Sequence, residues 1–155
     1  MTGDEKKTAL IVLGCPQVPI QTSAALYLLS RLADMGVATT VAGTKAARSL
    51  IEVADPGRHY LQEIIDLDMC IQRMAEKEFD TDLCFTFVHN DAGVAYTATM
   101  AVISGAELFA VIFGGEAEER AAELEETACR RITAKGSHNP LPMKRRLDEV
   151  LDGLY

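Results

Sequence analysis

Three runs of almost uninterrupted apolar residues constrain the fold of this 155-residue chain more than any other feature. They are ALIVLG at residues 9–14, LCFTFV at 83–88 and LFAVIF at 108–113, and each is as long as one β-strand. A strand that is apolar on both faces must be covered on both sides, as in a parallel sheet between two layers of helices. The three runs therefore predict the buried centre of such a sheet.

The rest of the chain up to about residue 115 alternates between strand-like and helical segments. A β-branched run at residues 37–42 predicts a further strand, and the IIDL sequence around Ile64 predicts either a short edge strand or an irregular connection. Alternation of this kind predicts βαβ units with right-handed crossovers. We therefore expect a three-layer α/β/α sandwich, Rossmann-like or flavodoxin-like, with a mainly parallel sheet of four or five strands. The segments with helical character are residues 23–35, 45–54, 68–77 and 92–104.

The C-terminal part of the chain has a different composition. We interpret residues 1–155 as a single α/β domain, with a core at about 8–115 and a helical extension at about 116–155. The segment 116–131 is acidic at its start and basic at its end, which suits the helix dipole and predicts a surface helix. The segment 143–154 predicts a short amphipathic helix.

Charge and cysteine content exclude several classes of function. With 15 basic and 23 acidic residues the formal net charge is -8, which does not attract nucleic acid or an anionic membrane surface. We therefore expect a cytoplasmic protein with neither as a partner. The four cysteines form no C-x-x-C pair, so that neither a disulfide framework nor a zinc site is predicted. Cys70, Cys84 and Cys129 are expected to be packing residues.

Polar and glycine residues are concentrated where the predicted strands end. In open parallel α/β sheets, ligands bind outside the carboxyl ends of the strands, near the point where the strand order reverses. The predicted ligand-binding residues are Gly14, Cys15, Gln17, Gln21, Thr22, Ser23, Gly43, His89, Asn90, Asp91 and Gly93.

The loop after the first strand has properties that suit an anionic ligand. Pro16 and Pro19 fix their φ angles and stiffen the loop, and Thr22 or Ser23 is placed to cap the helix that follows. A helix start with free backbone N–H groups in a rigid loop favours binding of a carboxylate or phosphate. The alternative is a rigid connection with no ligand.

Cys15 is the candidate catalytic residue, and two interpretations of it remain open. If the first and fourth strands are neighbours, His89 and Asp91 would lie near this thiol as a base and an orienting carboxylate. Alternatively, Cys15 is a small buried residue at a tight corner, and Asp91 is the cap of the next helix. The spacing is similar to that of the low-molecular-weight tyrosine phosphatase loop, but Gln21 stands where those enzymes have arginine, which disfavours phosphatase activity.

Metal and cofactor motifs contribute little to the prediction. His59 and His138 have no second ligand at metal-binding spacing, so we predict no metal site. The chain has neither the G-x-G-x-x-G fingerprint nor the phosphate loop G-x-x-x-x-G-K-[ST]. The identity of any cofactor is therefore left unpredicted.

The stretches LGCPQVPIQTSAALYLL, VADPGRHY and FVHNDAGVAYTATM resemble an uncharacterised family, a domain of unknown function found in small α/β proteins of methanogenic archaea. The resemblance spans about residues 9–114. It implies a three-layer α/β/α fold, a cytoplasmic anaerobic setting and no established activity. Family members often carry Asn-Asp after the fourth strand, matching Asn90 and Asp91, whereas the position of His89 varies among them.

Three functional hypotheses follow. The favoured one is an accessory binding module that holds a small anionic metabolite or coenzyme linked to methanogen metabolism at the carboxyl edge of the sheet. The second is a thiol-dependent enzyme or sulfur-relay protein that uses Cys15. The third is a non-catalytic interaction subunit, a homodimer or other homo-oligomer, in which the helix at residues 92–104 packs between chains.

Overall fold

The fold is described from a computed structural model, which describes residues 5–154. Strands and helices alternate along the whole of this range. The strands are β1 (Thr8–Leu13), β2 (Ala38–Gly43), β3 (Glu63–Asp66), β4 (Leu83–Val88), β5 (Glu107–Ile112) and β6 (Arg130–Thr133). The helices are α1 (Ile20–Asp34), α2 (Lys45–Ala54), α3 (Leu67–Ala75), α4 (Asp91–Ile103), α5 (Ala117–Glu123) and α6 (Leu141–Asp152).

The strands form one parallel sheet in the order β3-β2-β1-β4-β5-β6. Ile11 at the centre of β1 is in register with Val41 of β2 and Phe85 of β4. This is the Rossmann strand order, in which the sheet grows outward in both directions from β1 and β4. The predicted three-layer sandwich is confirmed, with six strands where four or five were expected, and the IIDL segment is the edge strand β3.

The two faces of the sheet are covered by different helices. One face packs against α1, α2 and α6 and contains a stacked pair of rings, Phe85 and Phe109, with centroids 4.6 Å apart. The other face packs against α3, α4 and α5. The apolar runs are buried because alternate side chains of each strand enter the two cores, as with Leu10 and Ile11.

The prediction of one long surface helix over residues 116–131 is wrong. α5 ends at Glu123, and β6 begins at Arg130 and pairs with β5. The buried side chain of Ile132, in register with Val111, holds this strand on the sheet. Arg130 and Arg131 are exposed, as charged residues on an edge strand usually are. Basic residues are also typical of the last turn of a helix, and for this reason the segment was predicted to end one.

The final helix, α6, agrees with the amphipathic helix predicted for residues 143–154 and packs against α1. A polar cluster joins the two helices, in which the carboxylate of Asp148 accepts hydrogen bonds from Tyr27 and Arg31 of α1. Lys144 also donates to Asp148, at 3.0 Å. The segment that leads into α6 lies at the carboxyl edge of the sheet beside the start of α1, because the N–H of Ile20 donates to the carbonyl of Ser137 and the N–H of Gly114 donates to that of Gly136.

The VADP stretch closes the connection from α2 to β3. The carboxylate of Asp55, which is 4% exposed as a residue, accepts backbone hydrogen bonds from His59, Tyr60 and Leu61, each at 2.9 Å. These donors, that of Leu61 foremost, lower the pKa of Asp55. In residues 5–154, none of the helices is both long enough and apolar enough to span a bilayer.

Candidate functional site

The candidate site lies where the strand order reverses, between β1 and β4. Because these strands are neighbours, the loop that follows β1 meets the loop that follows β4. The backbone N–H of Gln17 donates to Nε2 of His89 at 3.2 Å, and Nδ2 of Asn90 donates to Oε1 of Gln17 at 2.9 Å. We term these two hydrogen bonds the Gln17 clasp. The clasp brings together three of the predicted site residues.

His89 is held as a neutral imidazole. Its ring stacks on Phe113 with a centroid distance of 5.1 Å, and burial lowers the pKa of His89. Because Nε2 accepts the hydrogen bond from Gln17, the proton of the neutral ring must lie on Nδ1. Nδ1 is buried and has no hydrogen-bond partner among the described residues. His89 therefore has a donor beneath the loop that this part of the chain does not satisfy.

Gln21 presents the complementary group. Its side chain is buried, and Nε2 donates to the carbonyl of Gly14 at 2.9 Å. Its Oε1 is buried and has no partner within residues 5–154. Buried polar atoms are nearly always hydrogen-bonded, to water where no protein group reaches them. This end of the sheet thus has one buried donor and one buried acceptor that no described protein group satisfies.

Cys15 is exposed, so the expectation of a small buried residue at this corner is wrong. The structure does not assemble the thiol, base and carboxylate arrangement either, because Nε2 of His89 is engaged with Gln17 and Asp91 pairs elsewhere. Cys70 and Cys84 are buried and Cys129 packs partly into the core, as predicted.

Tyr96 of α4 is a residue of this edge that the sequence interpretation missed. A Cβ atom built on Gly14 would lie 3.2 Å from Cε2 of Tyr96, so the ring packs directly against the glycine. Burial, with the nearby acidic groups of Asp68 and Cys15, raises the pKa of the Tyr96 hydroxyl. The sequence offered one indication of this role, because Tyr96 is an aromatic residue among small residues in the second turn of the predicted helix.

The start of α1 differs from the prediction. No side chain caps the helix, and Thr22 and Ser23 lie inside it, where the Ser23 hydroxyl donates to the Ile20 carbonyl at 3.1 Å. The N–H of Ile20 donates to the carbonyl of Ser137 at 3.0 Å, and the next N–H donates to a carbonyl of the preceding loop. These first-turn groups, predicted to be free for an anion, are therefore already bonded.

The start of α4 is capped by Asn90, whose Oδ1 accepts from the N–H of Gly93 at 3.1 Å. The prediction that Asp91 is the cap is wrong. The carboxylate of Asp91 instead pairs with Arg120 of α5, which also lies near Glu116 and Glu123. Asp91 is therefore part of an ion-pair cluster beside the site.

Gly93 was predicted to let a ligand approach closely, but the group that lies close to it is the backbone of β4. A Cβ atom built there would lie 2.8 Å from Cα of Val88 and 2.9 Å from the carbonyl oxygen of Phe87. Contacts below 3 Å force the neighbouring atoms to move, so glycine lets α4 lie directly on β4. This explains Gly93 by helix–strand packing alone.

The turn after β2 completes the edge on the other side of β1. The N–H of Thr44 donates to the carbonyl of Leu13 at 3.2 Å, which places the start of α2 next to the end of β1. The carbonyl of Gly43 accepts from Nε of Arg48 at 3.1 Å. Lys45 is exposed in the first turn of α2. Within residues 5–154, no group of three or more His, Cys, Asp or Glu side chains is placed to hold a metal ion.

The comparisons with known proteins identify the family. An uncharacterised protein of Methanocaldococcus jannaschii, MJ0452, is 31% identical over 150 residues, which are 95% of this chain and 99% of that protein. The solved structure titled "Structure of MT0777" is 38% identical, with a TM-score of 0.88, covering 96% of this chain and 99% of that one.

A more distant structure shares the fold alone. A hypothetical protein of Streptococcus mutans, SMU.573, has a TM-score of 0.52 at 12% identity, covering 89% of this chain and 63% of the other. The model of the family described as a domain of unknown function, DUF1890, matches residues 10–150. With a match over nearly the whole sequence and a relative above 30% identity, the chain belongs to the DUF1890 family.

Proposed function

We propose that the protein is an accessory binding module that holds a small metabolite or coenzyme, with an anionic group, at the carboxyl edge of the sheet. The observation that carries the proposal is the Gln17 clasp at the reversal between β1 and β4. In open α/β sheets the crevice at this reversal is the usual ligand site. Here the clasp fixes the two loops relative to each other, and Gln17 also lines an adjoining groove.

The turn after β2 favours an anionic group on the ligand. Thr44 caps α2 by accepting from the N–H of Ala47, and the helix geometry leaves the N–H groups of Lys45 and Ala46 without an acceptor in the helix. These N–H groups and the Lys45 ammonium provide positive potential next to the end of β1. The first turn of α1 contributes less, because the N–H groups of Ile20 and Gln21 are already bonded.

Binding is favoured over thiol chemistry at Cys15. A nucleophilic thiol needs a base within hydrogen-bond reach. The imidazole of His89 is engaged in the Gln17 clasp and has its remaining proton on a buried nitrogen. If a thiol enzyme is nevertheless the correct description, Cys15 will react with iodoacetamide much faster than an exposed cysteine of ordinary reactivity, and His89→Ala will slow that reaction.

Ligand titrations test the proposal. Thermal unfolding is followed with pyrophosphate, NADH and ATP as probes, and a probe at 100 times its Kd is expected to stabilise the fold by about 2.7 kcal/mol. Gln17→Ala is expected to weaken binding about tenfold, because it removes the side-chain half of the clasp. Gln72→Ala, the same change at an exposed position of α3, is the matched control. Equal binding by the two variants, or no stabilisation by any probe, would contradict the proposal.

A second candidate function is self-association through α4. From Ala92 to Ser104 the sequence has no charged residue, although the outer side of α4 faces solvent and Val102 is 84% exposed. Helices that are apolar all round are usually covered, and an uncharged face avoids repulsion between two copies with a net charge of -8. Sedimentation velocity should show a homodimer that Val102→Asp dissociates; a monomer at all concentrations excludes this function.

A further inference from the structure

A groove adjoins the candidate site on the α2 side. It has a volume of about 490 Å³ and lies between the loop of residues 16–19, with Thr22, and the side chains of Leu50, Val53 and Ala54. Ligand pockets in proteins typically measure about 300 to 1,000 Å³. The groove is therefore large enough for a substantial part of a coenzyme-sized molecule. We refer to it as the α2 groove.

The α2 side of the groove exposes large apolar side chains. Leu50 is 48% exposed and Val53 is 78% exposed, and their spacing of three residues places them on one face of the helix. α2 buries Ala47 and Ile51 against the sheet, so its packing in the fold is already satisfied without Leu50 and Val53. An exposed apolar face beside a candidate site is typical of a surface that a ligand covers.

The wall of the α2 groove opposite α2 is the loop of residues 16–19, which is also part of the candidate site. Pro16 and Pro19 have fixed φ angles, so this wall is formed before any ligand arrives. Gln17 lines the α2 groove and is also the residue of the clasp, so the groove and the site are continuous. None of the described residues that line the α2 groove is ionisable, although a quarter of the sequence is charged, so the groove suits an uncharged group.

We infer that the ligand is amphiphilic, with an apolar ring or chain in the α2 groove and a polar, anionic head at the Gln17 clasp. This inference rests on the proposed function and specifies its ligand class. Molecules of this class combine a flat or branched hydrocarbon portion with a phosphate, sulfonate or carboxylate group. A wholly polar anion would leave the α2 groove empty.

The test uses 1-anilinonaphthalene-8-sulfonate, an aromatic molecule with one anionic group, whose fluorescence rises when its rings leave water. Wild-type protein should bind it at a single site. Val53→Asp should weaken binding about tenfold, as expected for replacing one apolar contact by a charge. Met69→Asp is the control, since it introduces the same charge in place of an exposed apolar residue of α3, on the other face of the sheet. Its affinity for the dye should stay within twofold of wild type.

The outcomes separate the inference from the proposed function. If Gln17→Ala weakens pyrophosphate binding but Val53→Asp leaves dye binding unchanged, the amphiphilic ligand is refuted and the proposed function stands. If neither probe responds to Gln17→Ala, the proposed function fails and the inference with it. Dye binding that is lost equally in both aspartate variants, or that is absent in wild type, also overturns the inference. Sedimentation completes the set, because a dimer dissociated by Val53→Asp would make a second copy the occupant of the groove.

Discussion

His89 offers the sharpest test of how the candidate site is held together. Its ring is half-buried, which favours the neutral form, and Nε2 accepts the N–H of Gln17, which requires it. The ring also stacks on Phe113. Burial lowers the pKa of His89 in the folded protein below the value in the unfolded chain, which is about 6.5. The unfolded chain therefore binds the proton first on acidification. The contribution of His89 to the free energy of unfolding should therefore be constant above a pH of about 6.5 and decrease below it.

The size of the effect can be worked from these contacts. Each unit by which the folded-state pKa lies below the unfolded one removes about 1.4 kcal/mol of stability once the pH has passed both values. At pH 8, His89→Ala should cost roughly 1.5 to 2.5 kcal/mol, from about 1 for the hydrogen bond and about 0.5 to 1.5 for ring stacking. His138→Ala, which removes an exposed imidazole, should change stability by less than about 0.5 kcal/mol.

Urea unfolding between pH 5 and 8 measures both quantities, and a proton NMR titration of the histidine rings reports the pKa of His89 directly. In His89→Ala the acid-dependent loss that belongs to this group should disappear. The reasoning is refuted if His89→Ala and His138→Ala are equally stable at pH 8, or if His89 titrates above pH 6.5. Either result would mean that the imidazole does not accept the Gln17 N–H in solution.

Three further changes test the fold around the site. Gly93→Ala should lower the free energy of unfolding by about 1 to 3 kcal/mol, because the new methyl group would lie 2.8 Å from Cα of Val88. This loss should exceed the gain from the better helix propensity of alanine. An unchanged urea midpoint would show that α4 can shift. The melting temperature of Asp55→Ala should be well below that of Asp34→Ala. Since the pKa of Asp55 is lowered in the fold, the stability that its carboxylate contributes should disappear as the pH falls through that pKa. Ile132→Ala should cost about 2 to 4 kcal/mol as a buried strand residue, whereas a surface helix would change by less than about 0.5.

The interior of the sheet could be predicted from the sequence because burial on both faces leaves a direct mark on composition. β4 is buried throughout, and β1 and β5 are buried after their first residue, so the sequence shows these strands as nearly continuous apolar runs. The alternation with helices then restricts the topology to parallel crossovers. What composition could not supply is the neighbour of each strand, and it is the pairing of β1 with β4 that creates the candidate site.

β6 was missed for a physical reason. An edge strand of four residues needs only one buried side chain, here that of Ile132, and its remaining positions are free to carry arginine. Such a strand is stabilised by hydrogen bonds to β5 and by packing under α6, which are contacts with residues distant in sequence. A local pattern of helix-forming residues before it therefore dominated the prediction.

The residues predicted for the site follow the strands at one edge of the sheet, but several of their contacts differ from those predicted. A side chain caps a helix only from the residue just before its first turn, so an error of one residue changes the cap. Asn90 rather than Asp91 has the extended backbone that a cap requires. Similarly, α1 starts three residues earlier than Ser23, because Pro19 can begin a helix and the carbonyl of Ser137 takes the place of a capping side chain. Contacts with distant segments decided both cases.

The G-C-P-x-V-P-x-Q stretch is better understood as a loop-building sequence than as the setting of a reactive thiol. Gly14 makes room for the ring of Tyr96, and its carbonyl is held by the buried amide of Gln21, so both ends of the loop are fixed from within. The prolines keep the intervening residues extended, which leaves Gln17 to reach across to β4. The side chain of Cys15 is exposed and makes none of these contacts. A ligand that covers this loop should protect Cys15 from alkylation, so the rate of alkylation with a bound probe gives an independent measure of where the ligand binds.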